Sequence, residues 1–243
     1  MPVLKLTKPL GTTPLEFVND YKKKNPDVLK ISYAGRLDPM AEGIMLVLTN
    51  EDCRQQNNYF KCEKIYEFEV LFGISTDSYD ILGLLKNNME MNDFNEQKQD
   101  IYNYIFKLKG THKQYYPPYS SVRINGKPLW HYAKTNLLDT IEIPHKEIEI
   151  KSIDILETYS LNSTKLLQLV ENRINKLDKK HDFRQDTILD GWKSIKSMDY
   201  NVIKISAHVS SGTYVRELCN NIGKAFNIPT LTLSINRREV IFN

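Results

Sequence analysis

The apolar positions of this chain repeat at two periods, one near two and one between three and four, and so mark out strands and helices in turn. Lys64 to Val70 alternates residue by residue. That predicts a half-buried strand with Tyr66, Phe68 and Val70 on one face and Ile65, Glu67 and Glu69 on the other. Val202 to Val209 and Ile141 to Glu157 alternate in the same way, and Val3 to Leu6 reads as a short strand. Gly43 to Thr49 is a continuous apolar run of the kind a buried strand carries. For the helices, Thr12 or Thr13 serves as a cap, Pro14 suits the first turn, and Leu15, Val18 and Tyr21 supply one face. Ile101, Tyr104, Ile105 and Leu108 predict a helix over 96–108 that Gly110 ends. Leu166, Leu169, Val170, Ile174 and Leu177 form another helical stripe, and Tyr214, Leu218, Ile222 and Phe226 a third. Glu51 to Asn58 reads as a short helix, and Asn87 to Asn95 as a polar loop.

With 243 residues, 41% of them hydrophobic, the chain suits one globular domain with a sizeable core, 1–243. No apolar stretch approaches the length of a membrane span, and the N-terminus lacks the charged-then-apolar order of a secretory signal. Cys53, Cys62 and Cys219 show no paired spacing and suit an intracellular, reducing compartment, cytoplasm or nucleus. The five histidines are scattered without metal-ligand spacing. Net charge is only +3, but the stretch 74–100 carries six acids and two lysines, which leaves the remainder more basic. An acidic lobe beside a basic remainder suits a one-sided RNA footprint, and equally a set of solvated loops.

Chemistry concentrates between Lys30 and Arg54. Gly35-Arg36-Leu37-Asp38-Pro39 places a carboxylate between an apolar residue and a proline, ringed by glycines, and the buried strand follows. Pro39 biases Asp38 toward extended backbone, so the acid is presented on a stiff turn. Taken alone, the five residues also suit an ordinary turn whose aspartate caps the next element.

The block resembles the catalytic motif of the TruB family of RNA pseudouridine synthases, G-x-L-D-P-x-A-x-G-x-L-x-V, with Gly35, Leu37, Asp38, Pro39, Ala41, Gly43 and Val47 in register. Other blocks match the same family in the same order. Lys8 to Thr13 (KPLGTT) is similar to its N-terminal K-P-x-G-x-T-S motif. Tyr66, with Phe72 to Gly83 (FGISTDSYDILG), is similar to its second motif. Gln114 to Lys127 (QYYPPYSSVRINGK) resembles its Q-x-P-x-x-Y-S-A-x-K-x-x-G-K segment. Ser210 to Leu218 (SSGTYVREL) resembles S-K-G-T-Y-I-R-x-L, and Ile235 to Glu239 its closing L-R-R strand.

The resemblance implies an α+β pseudouridine synthase fold: a long mixed, mainly antiparallel sheet flanked by helices, with an RNA-clamping insertion at 114–140. It implies a tRNA pseudouridine synthase that needs no cofactor and no metal and acts, as a monomer off the membrane, on the T-arm stem-loop. Asp38 becomes the catalytic residue. Arg216 becomes its partner, because a guanidinium beside an acid favours the ionised form and orients it. An arginine in the first turn of a helix also calls for a carboxylate against the macrodipole. Tyr66 falls on the tyrosine that stacks on the target base, although its alternation also suits a core aromatic, and Leu37 and Ile44 become apolar walls. Lys8, Tyr119, Arg123, Lys127 and Arg237 become RNA contacts, since aromatics stack on bases and basic groups hold phosphates.

Two positions depart from the pattern: Tyr33 stands where the family has a histidine, and Arg36 where a small residue is common. Arg36 is therefore a candidate phosphate contact. The resemblance lapses over 162–198, an extra helical segment of weak positive charge that reads as a surface hairpin in preference to an RNA-binding arm. The chain to Asn243 reads as the catalytic domain alone. Two other readings stand beside the enzyme: an RNA-binding chaperone that keeps the cleft without turnover, and a synthase for a different RNA stem-loop.

Overall fold

The alternating segments pair into one eight-stranded sheet in the computed structural model of the chain, which describes residues 3–91 and 93–242. In chain order the elements are β1 (Leu4–Lys8), α1 (Pro14–Lys24), β2 (Ile31–Ala34), β3 (Ala41–Thr49), a 3-10 helix (Asn50–Tyr59), β4 (Glu63–Phe72), β5 (Ile74–Thr76) and β6 (Leu85–Asn88). Then come α2 (Phe94–Lys107), β7 (Gly110–Tyr115), β8 (Arg123–Ile124), β9 (Lys127–Pro128), α3 (Leu129–Lys134) and a 3-10 turn (Leu138–Thr140). The chain continues with β10 (His145–Asn162), α4 (Ser163–Ile174), α5 (Gln185–Trp192), β11 (Asp199–Val209), α6 (Val215–Phe226) and β12 (Thr230–Ile241). The main sheet runs β1-β3-β12-β4-β11-β10-β7, with β2 on β3, and β5-β6 and β8-β9 form two small hairpins. Every pairing is antiparallel except β3 with β12. This is the mixed, mainly antiparallel α+β architecture that the resemblance implies.

The alternation in β4 decides how the layers assemble. Tyr66, Phe68, Val70 and Phe72 turn to one face and meet Ile101 and Ile105 of α2 and Leu218 and Ile222 of α6. Leu71 turns to the other face and joins a second core. In β12, Leu231 and Leu233 also face that second core, yet Ile235 faces the first. A register shift between Thr232 and Ser234 separates them, and one extra residue in a strand reverses every side chain beyond it. This bulge is also where the loop after β5 docks, through Thr232 N–H donating to the Tyr79 carbonyl at 2.9 Å.

Several elements differ from the expectation. Segment 162–198 is not a surface hairpin. Leu166, Val170, Ile174, Leu177, Ile188 and Trp192 are buried and build the second core together with Leu71, Ile74, Ile81, Tyr200 and Leu231. The amphipathic stripe was legible, but its partner is a sheet face that only strands distant in sequence create. Gly110 does not end α2, whose last turn closes on Leu108. Instead it begins β7 at φ +116°, the left-handed region in which glycine carries no side-chain penalty. The long alternating strand starts at His145 rather than Ile141 and runs on to Asn162. The Asn87–Asn95 stretch is only partly loop, because β6 takes Asn87 and Asn88 and α2 begins at Phe94; Asn92 lies outside the described residues. The Glu51–Asn58 helix is a 3-10 helix extending to Tyr59.

Candidate active site

The turn that carries Asp38 is held from three sides. Beneath it, Gly11 N–H donates to the Pro39 carbonyl at 2.9 Å. Within it, Ala41 N–H donates to the Asp38 carbonyl at 3.0 Å. From β12, the Arg237 guanidinium reaches the carbonyls of Ile44 at 2.5 Å, Arg36 at 3.1 Å and Gly35 at 3.5 Å. Gly43, directly beside Arg237 in the parallel β3–β12 pair, has φ +113°, and a β-carbon there meets the Arg237 backbone. The motif spacing Leu-Asp-Pro-x-Ala-x-Gly thus has a structural reason: the acid is presented by a turn whose exit strand must lie flush against β12.

Asp38 Oδ2 accepts from Arg216 Nε at 2.7 Å. The rest of the guanidinium is committed to backbone, with Nη1 donating to the Ser78 carbonyl at 2.9 Å and Nη2 to the Tyr119 carbonyl at 3.1 Å. Arg216, one residue into α6, is buried to 4% side-chain exposure, whereas Asp38 keeps 35%. A second carboxylate, Asp80, lies 3.8 Å from Arg216 Nε. Burial pushes the Asp80 carboxyl above its usual range, while the arginine and the Ser78 hydroxyl, which donates to Oδ1 at 2.5 Å, pull the other way. The expectation of a carboxylate partner for a first-turn arginine is met twice over. Among the described residues only Oδ2 of Asp38 has a protein donor.

Asp38 opens into a cleft of about 460 Å³ lined also by Tyr33, Arg36, Leu37, Lys64, Tyr66, Tyr119 and Arg216. Tyr66 is 7% exposed and shares its face of β4 with Phe68, so it is a core aromatic that also lines the cleft. Leu37 is buried at the wall, Tyr33 half-buried, and Arg36 exposed at the rim. Ile44 does not line the cleft. It packs with Leu46, Leu48 and Val240, because alternation along β3 turns it away.

The proposed RNA contacts divide. Arg123 and Lys127 are exposed on the β8–β9 hairpin, where the Arg123 guanidinium donates to the Gly126 carbonyl at 2.5 Å. Tyr119 is half-buried, and its hydroxyl donates to Asp77 Oδ2 at 2.9 Å, so its carbonyl and its ring serve the protein as well as the cleft. Lys8 and Arg237 do not fit a phosphate-contact role. Lys8 is wholly buried and donates to the Pro9 and Thr12 carbonyls at 2.9 and 2.8 Å, which shapes the turn under Pro39. Arg237 is 1% exposed and is the carbonyl clamp just described. Residue type suggested phosphate binding in both cases, and burial overrides it.

Three site residues escaped the sequence reading. Asp80 and Ser78 lay inside a quoted motif without an assigned role. Gln114, at the start of the aromatic segment, stitches the insertion to α6: Tyr214 N–H donates to its Oε1 at 2.8 Å, and its Nε2 donates to the Tyr214 carbonyl at 3.0 Å. The signal in each case was a polar residue at a fixed place in a motif, with nothing in the sequence to name its partner.

Burial has a pH consequence. It lowers both Lys8 and Lys64 from 10.5 to about 8, with Arg237 adding to the effect at both. Between pH 8 and the unfolded value, the unfolded chain binds more protons than the folded one at these sites, so stability rises with pH there. Denaturant midpoints measured from pH 7.5 to 9.5 are expected to increase. Lys64→Met should flatten that rise, and a profile identical in the variant speaks against the assignment.

Comparison with known proteins extends these observations. The sequence profile of the TruB family pseudouridylate synthase (N terminal domain) matches residues 22–173. A Mesoplasma florum protein described as tRNA pseudouridine synthase B is 26% identical, covering 98% of this chain and 68% of its own length. Its counterpart from Oceanobacillus iheyensis is 29% identical over 93% of this chain and 61% of its own length. The Staphylococcus aureus protein of the same description is 30% identical over 86% and 57%. The chain therefore spans roughly three fifths to two thirds of these relatives. Among solved structures, a Cbf5–Nop10–Gar1 complex superposes with a TM-score of 0.58 at 18% identity, over 98% of this chain and 48% of that one, a likeness of fold. With the profile covering more than half of its length, the chain belongs to the TruB family of pseudouridylate synthases.

Proposed function

We propose that this protein isomerises uridine to pseudouridine in tRNA, and that its target is the uridine of the T loop. The observation that carries the reading is the Asp38–Arg216 pair at the head of an aromatic-lined cleft, with one carboxylate oxygen engaged and the other open. The relatives' shared description as tRNA pseudouridine synthase B supports tRNA as the substrate class.

In this reading the target nucleotide leaves the stacked loop and enters the cleft, where Tyr66 meets the face of the base and Leu37 walls it. Asp38 acts at the ribose. The bond from C1′ to N1 of uracil breaks, the base rotates, and C1′ rejoins at C5; the C5 hydrogen leaves as a proton and N1 acquires one. Arg216, held by two backbone carbonyls, keeps the carboxylate aimed while charge shifts at the sugar. Tyr33 lines the cleft where it can stack against the space the base leaves. Arg36, Arg123 and Lys127 offer exposed charge to the RNA backbone. The three free thiols favour a reducing compartment.

The test is direct. Purified protein incubated with a free T-arm stem-loop, without added metal or nucleotide and with chelator present, is expected to convert the loop uridine, as read by nucleoside mass spectrometry. Tight binding of stem-loop and whole tRNA without any pseudouridine in either favours a chaperone instead. Conversion of another RNA, with the T-arm untouched, removes the T-loop assignment and leaves the chemistry.

A further inference from the structure

Arg184 sits between α4 and α5, in the segment for which the family resemblance gives no role. Its guanidinium grips both oxygens of Asp77, with Nη1 at 2.8 Å from Oδ2 and Nη2 at 3.3 Å from Oδ1. It also lies over the ring of Tyr119, with Cζ 4.9 Å from the centroid. Since the Tyr119 hydroxyl already donates to Asp77 Oδ2, the three side chains close a triangle. The ion pair is largely sheltered, with side-chain exposures of 21% and 18%, so solvent screens it less than a surface pair.

The triangle is anchored on every side. Leu84 N–H donates to Asp77 Oδ1 at 2.8 Å, and the Asp182 carbonyl accepts from Lys134 Nζ at 3.1 Å. Arg184 itself holds a left-handed backbone, φ +63°, which a residue with a β-carbon adopts at a cost. Two helices packed into the second core flank this loop and fix where it ends. The same fork that satisfies Asp77 leaves little of the guanidinium for a phosphate.

What the triangle borders is Arg216. The carbonyl that receives Arg216 Nη1 belongs to Ser78, the residue after Asp77, and the one that receives Nη2 belongs to Tyr119. Asp77 and Tyr119 are 42 residues apart and lie on separate loops, and without Arg184 a single hydroxyl bond joins their side chains. We propose that Arg184 is a positioning residue for pseudouridine formation: by clamping Asp77 to Tyr119 it sets the spacing of the two carbonyls that aim Arg216 Nε at Asp38. The inference rests on the function proposed above, which supplies the reaction whose rate it controls.

The experiment compares Arg184→Ala and Asp77→Asn with Lys193→Gln, a control in the same segment whose partner Asp190 is a surface residue. Three quantities are read: the single-turnover rate at saturating T-arm stem-loop, the affinity for that RNA, and the hydrogen exchange of Arg216 Nε–H followed by nitrogen-15 NMR. A slack clamp misplaces the reacting carboxylate, so Arg184→Ala is expected to slow turnover by about 10-fold or more with affinity within about twofold of wild type. Arg216 Nε–H should exchange faster by a similar factor. Asp77→Asn should behave alike, and the double variant should lose little beyond either single change. Arg184→Lys keeps the charge but not the fork and is expected to be slow as well, which preserves the test if the alanine variant folds poorly. Lys193→Gln should change nothing.

An unchanged rate in a folded Arg184 variant overturns the proposal. So does a loss confined to affinity, which makes Arg184 an RNA contact, or a double variant whose loss is the product of the two singles. If the wild-type protein modifies no RNA, the functional reading fails by itself. The exchange measurement then still decides this inference: faster exchange of Arg216 Nε–H in Arg184→Ala upholds the clamp, and unchanged exchange removes it.

Discussion

Asp38→Asn is expected to lower the single-turnover rate by about 10⁴-fold or more, the scale of losing a group that acts directly on the reacting atoms. The variant should fold. An asparagine carbonyl oxygen can still accept the Arg216 Nε–H, so the buried guanidinium keeps its contacts to Asp38, Ser78 and Tyr119. RNA affinity should stay within a few-fold, because in the proposed reading most of it comes from phosphate contacts at exposed residues such as Arg36, Arg123 and Lys127. A variant that retains a rate within a factor of ten of wild type removes Asp38 from the chemistry.

The complementary change separates aim from charge. Arg216→Lys keeps a cation near Asp38 but has no planar fork, so the Ser78 and Tyr119 carbonyls cannot both be satisfied while the carboxylate is held. Most activity should go with it. Arg216→Ala is the poorer test, because it strands buried Asp80 without its cation, and breaking a buried pair costs about 3–5 kcal/mol.

Asp38, Tyr66 and Arg216 stood out because each lies in a short block that resembles a family motif, and the fold brings all three to one cleft. The strands were legible for a different reason: alternation in β4 and β11 records burial on one face, whatever that face meets. Lys8 and Arg237 were misread because a basic residue on a strand looks the same whether its charge reaches solvent or backbone carbonyls. For Arg237 the parallel neighbour β3 and the turn at Gly35, both distant in sequence, decide it, whereas Lys8 turns back onto the nearby Pro9 and Thr12 carbonyls. Arg184 gave no signal at all. Its partners Asp77 and Tyr119 come from two other loops, and nothing in a stretch of mixed charge singles out one arginine. The bulge in β12 was equally silent, although it decides which core Ile235 joins and where the Asp80 loop docks.

The segment 162–198 provides the second large effect. Replacing it with a short Gly/Ser connection is expected to abolish cooperative folding rather than merely alter RNA binding. Its buried residues Leu166, Val170, Ile174, Ile188 and Trp192 cover Leu71, Ile74, Ile81, Tyr200 and Leu231, all of which are shielded from water in the intact protein. Each large apolar side chain so uncovered forfeits about 1.5–3 kcal/mol, and a domain's whole stability is about 5–15 kcal/mol. Few such losses suffice. A graded version is Trp192→Ala, which empties the centre of this core. Truncations of that kind cost about 3–5 kcal/mol, and the lower end applies here because the indole N–H has no partner among the described residues and its removal recovers some of the loss. For a chain of this length that corresponds to a fall of about 6–12 °C in the melting temperature. Circular dichroism melts of both proteins make the measurement. A trimmed chain that melts cooperatively at the wild-type temperature would mean the second core is dispensable; an unfolded one would mean the segment completes the fold before it can carry Arg184 to Asp77.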